Sequence, residues 1–376
     1  MQAPAHGRAN QRPWDAMGPP SDPLPFDEPH FDRGVRALVM CYSIDPRTST
    51  PLYESLPNVL YRDQDKNKVE TAYYPLRTRA PMKTLAGHVE ICQVLKRRRG
   101  DSNTFTDILF EKTNEFVAVK VCVQHQIDHL RMKHHEDPLK EAAVMHTLDV
   151  TRSAPCLAAL HVPGDDHLFD TYNIVMPYYA GGDIFDLMQR STRRDGGYGV
   201  DEPNAKRIFR GLLQGLRELH DQGICHHDLS VENVMLDSQV VDQAEAYIID
   251  FGMAVRVPTD PTTHRPCLLR PQGRFGKPSY MAPEVYRNQT FSGEAIDVWS
   301  AGCILFCMVT GNRSYGFPSP RDVQFSCMTE QLGSLLEDWG VSLSADCVHL
   351  LTNIFVVDAR LRLTIDEILQ HPWLQV

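Results

Sequence analysis

The chain has 376 residues, of which 42 % are hydrophobic and 23 % charged, with a formal net charge of -10. These are ordinary proportions for a globular protein with a sizeable core, and the acidic balance argues against nucleic-acid binding while suiting a basic partner. The 10 cysteines show neither zinc-finger spacing nor disulfide-scaffold density, which implies free thiols and a cytoplasmic setting with nuclear access.

Residues 1 to about 35 are rich in Pro, Gly and Asp and show no periodicity, which predicts disorder. The opening lacks the apolar core of a signal peptide and the second-position glycine of a myristoylation signal. Short apolar pieces at Val35 to Tyr42 and Val59 to Tyr61 are broken by proline and charge, so residues 1–79 are drawn as a partly disordered extension and 80–376 as a domain. Within the domain, Glu90 to Lys96 and Phe116 to Val123 alternate like strands. Arg97 to Asn114 between them reads as an exposed hairpin insertion. His125, His129, His134 and His135 form a solvated polar stretch rather than a metal site. Pro138 to Leu148 starts with proline in a first helical turn, and Leu168 to Tyr179 gives two short strands. Beyond lies a mostly helical half. Pro203 to Gln222 carries Ile208, Leu212, Leu213, Leu216 and Leu219 on one face. Helices are also expected at Glu294 to Val309, Leu343 to Val356 and Thr364 to His371. The longest apolar stretch, Val298 to Thr310, falls short of the roughly 20 residues that cross a bilayer, so a buried helix and no membrane contact are expected.

Three groups of residues carry chemistry. Lys120 closes the strand Phe116-Val117-Ala118-Val119-Lys120, and Glu141 on the next helix can hold it toward phosphate. One such pair is worth about 4 kcal/mol at 4 Å and an effective dielectric near 20, below the roughly 8–23 kcal/mol that enzymes supply, so further groups are needed. They follow in His226-His227-Asp228-Leu229-Ser230-Val231-Glu232-Asn233, where Asp228 can accept a hydroxyl proton and Asn233 can offer oxygen to Mg²⁺. Ile248-Ile249-Asp250-Phe251-Gly252 then delivers a second oxygen ligand, Asp250, before a glycine.

Taken in order, these motifs resemble the eukaryotic protein kinases over residues 80–376, with calcium/calmodulin-kinase-like features. VAVK at 117–120, HHDLSVEN at 226–233, DFG at 250–252, APE at 282–284, the Asp297-Val298-Trp299 stretch, Arg362 and His371-Pro372-Trp373 carry the likeness. The resemblance implies an α+β, two-lobe fold, with a small β-rich lobe at 80–177, a large helical lobe at 178–376, and ATP with Mg²⁺ between them. It implies Lys120, Glu141 and Asp228 as catalytic residues and Asn233 and Asp250 as metal ligands. Met176 then falls at the gatekeeper, Tyr178 in the hinge, and Val94, Ala118 and Met235 against adenine. Gly87 belongs to the phosphate loop. Asp183, counted with the nucleotide-facing residues, lies with Glu232 where basic-directed members hold substrate arginines. Met145, His226 and Phe251 belong to a packed column. The implied partner is a protein substrate, with serine or threonine as acceptor.

Three departures stand out. Aligned on G-x-G-x-x-G-x-V, Gly87 to Val94 keeps one glycine, which predicts weaker ATP binding because glycine lets backbone approach phosphate. Ser230 replaces a lysine, and Lys277 replaces a threonine, at two positions that touch in the family fold. The lysine is therefore expected to have changed places, Lys277 supplying the cation. His227 replaces the arginine that pairs with an activation-segment phosphate, and a mostly neutral histidine predicts little dependence on phosphorylation at Thr259, Thr262 or Thr263. The rival reading is a binding scaffold that keeps the fold without the reaction.

Overall fold

In the computed structural model, residues 17–64, 68–98, 109–133, 137–191 and 197–375 are described. The disorder expected for residues 1–16, most of the insertion, and His134 and His135 lie outside them. The chain forms two compact units: residues 26–148 with 154–178, and residues 1–25 with 149–153 and 179–376. The first strand, β1 (Gly18–Ser21), belongs to the second unit.

The first unit is built on one sheet. Its strands are β2 (Asp32–Ile44), β3 (Pro51–Arg62), β4 (Thr71–Pro75), β5 (Met82–Lys83), β6 (Gly87–Arg97), β7 (Leu109–Val123), β8 (Ala158–Val162) and β9 (Thr171–Pro177). They run in the order β4-β3-β2-β8-β9-β7-β6-β5, and β4 also pairs with β6, so the sheet closes on itself. The boundary expected at residue 80 is therefore not a break: β2, β3 and β4 share their sheet with the later strands. What hides β3 from a sequence reading is also what bends it. Ala37 pairs with Val59 and Val39 with Leu56, so Pro57 and Asn58 bulge out. Asn58 sits at φ 59°, a left-handed conformation asparagine tolerates. Disorder is likewise not found at 17–35, where β1 and the start of β2 lie.

Alternation fills the closed sheet. Val39, Cys41, Leu56, Val59, Ala72, Leu95 and Phe110 form one buried cluster, and Leu60, Cys92, Val94, Val117, Val119, Val121, Leu160 and Val175 a second. Arg36 of β2 donates to Glu90 of β6, and to Asn173 of β9 at 2.9 Å, so three strands share one buried polar knot. The histidine-containing stretch is a helix, α1 (Gln124–Lys133), and α2 (Lys140–Thr147) follows. Leu168 to Tyr179 holds one strand after a 3₁₀ turn, and β8 was not anticipated.

The second unit is mostly helical. It contains β10 (Gly182–Asp183), α3 (Ile184–Arg190), α4 (Glu202–Asp221), β11 (Ile224–Cys225), β12 (Val234–Leu236), β13 (Ala246–Ile248), β14 (Val255–Arg256), β15 (Cys267–Leu269), α5 (Pro283–Tyr286) and α6 (Gly293–Thr310). Shorter helices follow at Val323–Glu330, Leu332–Asp338, Ala345–Ile354, Ile365–Leu369 and Pro372–Gln375. The α4 stripe is buried as the 3.6-residue period requires, at Ile208, Phe209, Leu212, Leu213, Leu216 and Leu219. α6 is apolar all round and buried within its unit, the mark of a core helix. It starts on a Ser292 cap and stops at Gly311, φ 73°.

Candidate active site

In the first unit, β7 pairs with both β6 and β9, which fixes the direction of each of its side chains. Val117, Val119 and Val121 face the core, so Ala118 and Lys120 face the other way. The Lys120 Nζ meets Glu141 Oε2 at 2.6 Å, with both side chains buried. Glu141 stands in the first turn of α2, where the helix dipole favours a carboxylate. Met176 pairs with Ala118 across the β7–β9 ladder. Tyr178 accepts a hydrogen bond from Arg79 at 2.6 Å, and the Arg79 guanidinium lies 5.5 Å from its ring.

The phosphate-loop alignment is corrected here. Gly87 to Val94 is not a loop but lies within β6, and the turn precedes it: the Thr84 amide donates to the Gly87 carbonyl at 3.0 Å. Gly87 answers a packing need, because a side chain there would meet the Val121 carbonyl oxygen at 2.0 Å. Val94 is buried in the core opposite Tyr73, on the wrong face to meet Ala118. Parity places Ile91 beside Ala118 and Val89 beside Lys120. Reading the strand period against Lys120 would have found both.

In the second unit, the loop from His226 to Asn233 hangs from Asp297 of α6. One carboxylate oxygen accepts the His226 amide at 2.8 Å and His220 Nε2 at 2.9 Å; the other accepts the His227 amide at 2.9 Å. Burial pushes this carboxyl up, but those hydrogen bonds and the nearby histidines outweigh it and hold it below the usual aspartate range. His220, Cys225 and Asp297 are grouped closely enough to suggest a metal site. The carboxylate is already committed to three donors, and burial keeps the Cys225 thiol protonated, so the group is the anchor of the loop. The anchored turn holds His227 at φ 69°, a conformation that ordinarily costs a non-glycine residue about 1 kcal/mol or more.

Asn233 Nδ2 donates to the Asp228 carbonyl at 2.7 Å. The Asn233 carbonyl in turn accepts the Ile249 amide at 3.0 Å, which places Asp250 one residue from that link. Asp250 sits at φ 64°. Behind it, His226 Nε2 lies 2.9 Å from the Ile249 carbonyl, and the His226 ring lies 5.4 Å from the buried Phe251 ring. The structure therefore brings Asp228, Asn233 and Asp250 together. An amide oxygen and a carboxylate are the hard donors Mg²⁺ prefers, so these residues fit that ion.

Burial raises the Asp228 carboxyl above the usual range, and Asp250 adds to this, while His226 and Lys277 pull it down. Lys277 reaches the same loop twice over. Its amide donates to Asp228 Oδ1 at 3.2 Å, and its ammonium meets Ser230 Oγ at 2.8 Å and Glu232 Oε2 at 2.9 Å. Burial pushes Glu232 up, but Lys277 more than offsets this and the carboxyl lies low. Asp183 caps α3, accepting the Asp186 amide at 2.7 Å, and pairs with Met235 in the β10–β12 ladder. Glu284 of the APE triplet holds Arg362 through two bonds at 2.8 and 3.0 Å.

The family model described as protein kinase domain matches residues 99–374. Serine/threonine-protein kinase SAPK1 of Oryza sativa subsp. japonica is 35 % identical over 204 residues, which is 53 % of this chain and 54 % of that protein. Serine/threonine-protein kinase SRK2F of Arabidopsis thaliana is 34 % identical over 204 residues, covering 53 % of each chain. An abscisic acid-inducible protein kinase of Triticum aestivum is 33 % identical over 204 residues, 53 % of this chain and 56 % of its own length. The chain thus spans about half the length of the curated relatives it matches.

Proposed function

The chain belongs to the protein kinase domain family, and we propose that it transfers the γ-phosphate of ATP to a serine or threonine hydroxyl of a protein. The observation that carries this reading is the gathering of Asp228, Asn233 and Asp250 on two backbone-linked loops. Phosphoryl transfer needs positioning and charge stabilisation more than covalent chemistry, and this is a set built for position. Asp228 orients the acceptor hydroxyl and takes its proton. Asn233 and Asp250 would hold Mg²⁺, whose charge would offset that of the phosphates. Lys120, kept rigid by Glu141, is the phosphate-binding cation of the first unit. Lys277 is the cation of the second, in the role the missing lysine at 230 would have had. Ala118, Ile91, Met176 and Tyr178 are what the first unit would offer to the base. Serine or threonine acceptance is supported by the printed names of the relatives and by the His371-Pro372-Trp373 ending.

Substrate choice follows from what the acidic groups already hold. Glu232 is engaged by Lys277 and Asp183 caps a helix, so selection for basic peptides is weaker than two open carboxylates would give. Ten unbridged cysteines suit a reducing compartment such as the cytosol.

The test is incubation of the purified protein with ATP, Mg²⁺ and a generic basic protein, with Asp250→Asn beside it. Phosphate incorporation by the parent and none by the variant supports the enzyme. No incorporation by either overturns it in favour of the scaffold reading.

A further inference from the structure

The segment preceding the first unit packs on the activation segment, between Asp250 and Glu284. β1 runs parallel to β15, pairing Gly18 with Cys267 and Ser21 with Leu269. The Gly18 amide donates to the Pro266 carbonyl at 3.0 Å, and the Arg270 amide donates to the Ser21 carbonyl at 2.9 Å. Asp22 meets the Arg270 guanidinium at 3.0 Å. A few residues on, the Leu24 amide donates to the Arg256 carbonyl at 2.9 Å. One short segment, β1 and the residues after it, thus grips the activation segment at both ends of its central hairpin, whose tip is closed by Asp260 accepting the Thr262 and Thr263 amides at 2.7 and 2.8 Å.

The grip is close. Gly18 is buried, and a Cβ there would lie 2.7 Å from Asp260 Cβ and 2.9 Å from Cys267 Sγ. It also leads inward. On its far side β15 exchanges two hydrogen bonds with Phe291, at 2.8 and 3.0 Å between Leu269 and Phe291. The Phe291 ring stacks on His227 at 5.5 Å and 28°, and His227 precedes Asp228. From strap to catalytic loop the contacts are continuous.

We propose that residues 17–24 are an intramolecular brace that holds the activation segment, and through Phe291 and His227 the Asp228 loop, in working position without a phosphate. Backbone hydrogen bonds do what a phosphate–arginine pair does elsewhere, ordering a loop by tying it down at a few points. The inference rests on the kinase reading for its catalytic consequence and on the contacts alone for its structural one.

Two full-length variants test it. Gly18→Val forces a side chain into the contact, and Leu24→Pro removes the amide that reaches Arg256. Amide hydrogen exchange across 255–271 is expected to quicken about tenfold or more in both, because the segment opens locally rather than globally. The kcat should fall at least about fivefold while the KM for ATP stays within about twofold, the split expected of lost positioning and not of lost nucleotide binding. A free peptide of residues 17–25, added to the Leu24→Pro variant, should restore both readouts. Unchanged exchange across 255–271 overturns the brace, as does faster exchange with full kcat. A parent chain that transfers no phosphate sinks the kinase reading instead, and the exchange data then decide the brace on their own.

Discussion

The Lys277 ammonium donates to the Ser230 hydroxyl at 2.8 Å across 47 positions of sequence. Two loops touch here, one bringing a hydroxyl and the other an ammonium. If this contact stands in for the missing lysine at 230, the cation beside Asp228 comes from Lys277. Lys277→Thr is expected to lower kcat by about 10²-fold or more, the scale of losing one preorganised charge donor. Adding Ser230→Lys should recover part of that loss in steady-state assays. A double variant no better than the single would refute the exchange.

The same contact sets a pH dependence. Burial holds Asp228 above the ordinary aspartate range while Lys277 pulls it down. Only the ionised carboxylate can take a proton, so kcat/KM should fall on the acid side at a pH above that of a free aspartate. Lys277→Met removes a stabilising charge and should move that acid limb upward. Because the folded carboxyl titrates above its unfolded value, its protonated form favours folding at low pH, and that contribution is lost as pH rises through the folded value. At neutral pH its ionisation therefore works against stability. Asp228→Asn should raise Tm while abolishing turnover; an unchanged or lower Tm would contradict this.

Glu284 and Arg362 form a deeply buried ion pair. The Arg362 side chain is fully buried, and its guanidinium also lies 4.8 Å from the Trp299 ring. Glu284→Ala strands a buried cation, which costs about 3–5 kcal/mol. Denaturant titration should show this loss. Replacing both partners by apolar residues should cost less than removing the carboxylate alone.

His227 bears on regulation. Where the family places an arginine for phosphate, this ring stacks on Phe291 and meets Phe275 edge-on at 5.9 Å. Phosphatase treatment of protein purified from a eukaryotic host should leave activity within about twofold, since no cationic arginine stands there to receive the added charge. A collapse in activity would show that a phosphate is read by some other group.

The pairing of Lys120 with Glu141 and the gathering of Asp228, Asn233 and Asp250 were more legible than the architecture around them. Lys120, Glu141, Asp228, Asn233 and Asp250 sit in short local motifs whose spacing is set by a strand end or a tight loop, so sequence alone locates them. The contact between Ser230 and Lys277 was also legible, because each departs from a pattern at a position where the other offers the missing group. Val94 failed for the opposite reason. Its motif had lost all glycines but one, leaving nothing to set the register, and a slip along a strand moves a side chain to the opposite face. The strands before residue 80 were obscured by Pro57 and by charges such as Arg36, which the fold accommodates with a bulge and a buried partner in Glu90. No local pattern announces a partner 54 positions away.

The pairing of β4 with β6 has a practical corollary. A sheet that meets itself offers little bare hydrogen-bonding margin to a passing chain, and proteins otherwise guard such margins against sticking together. Trimming this molecule to residues 80–376, as motif boundaries alone would suggest, would unzip β6 along Cys92 to Lys96 and uncover the flanks of β7 and β8 that β2 now occupies. The shortened protein should be recovered as aggregate, and its insolubility would be a fault of the scissors and not of the catalytic machinery.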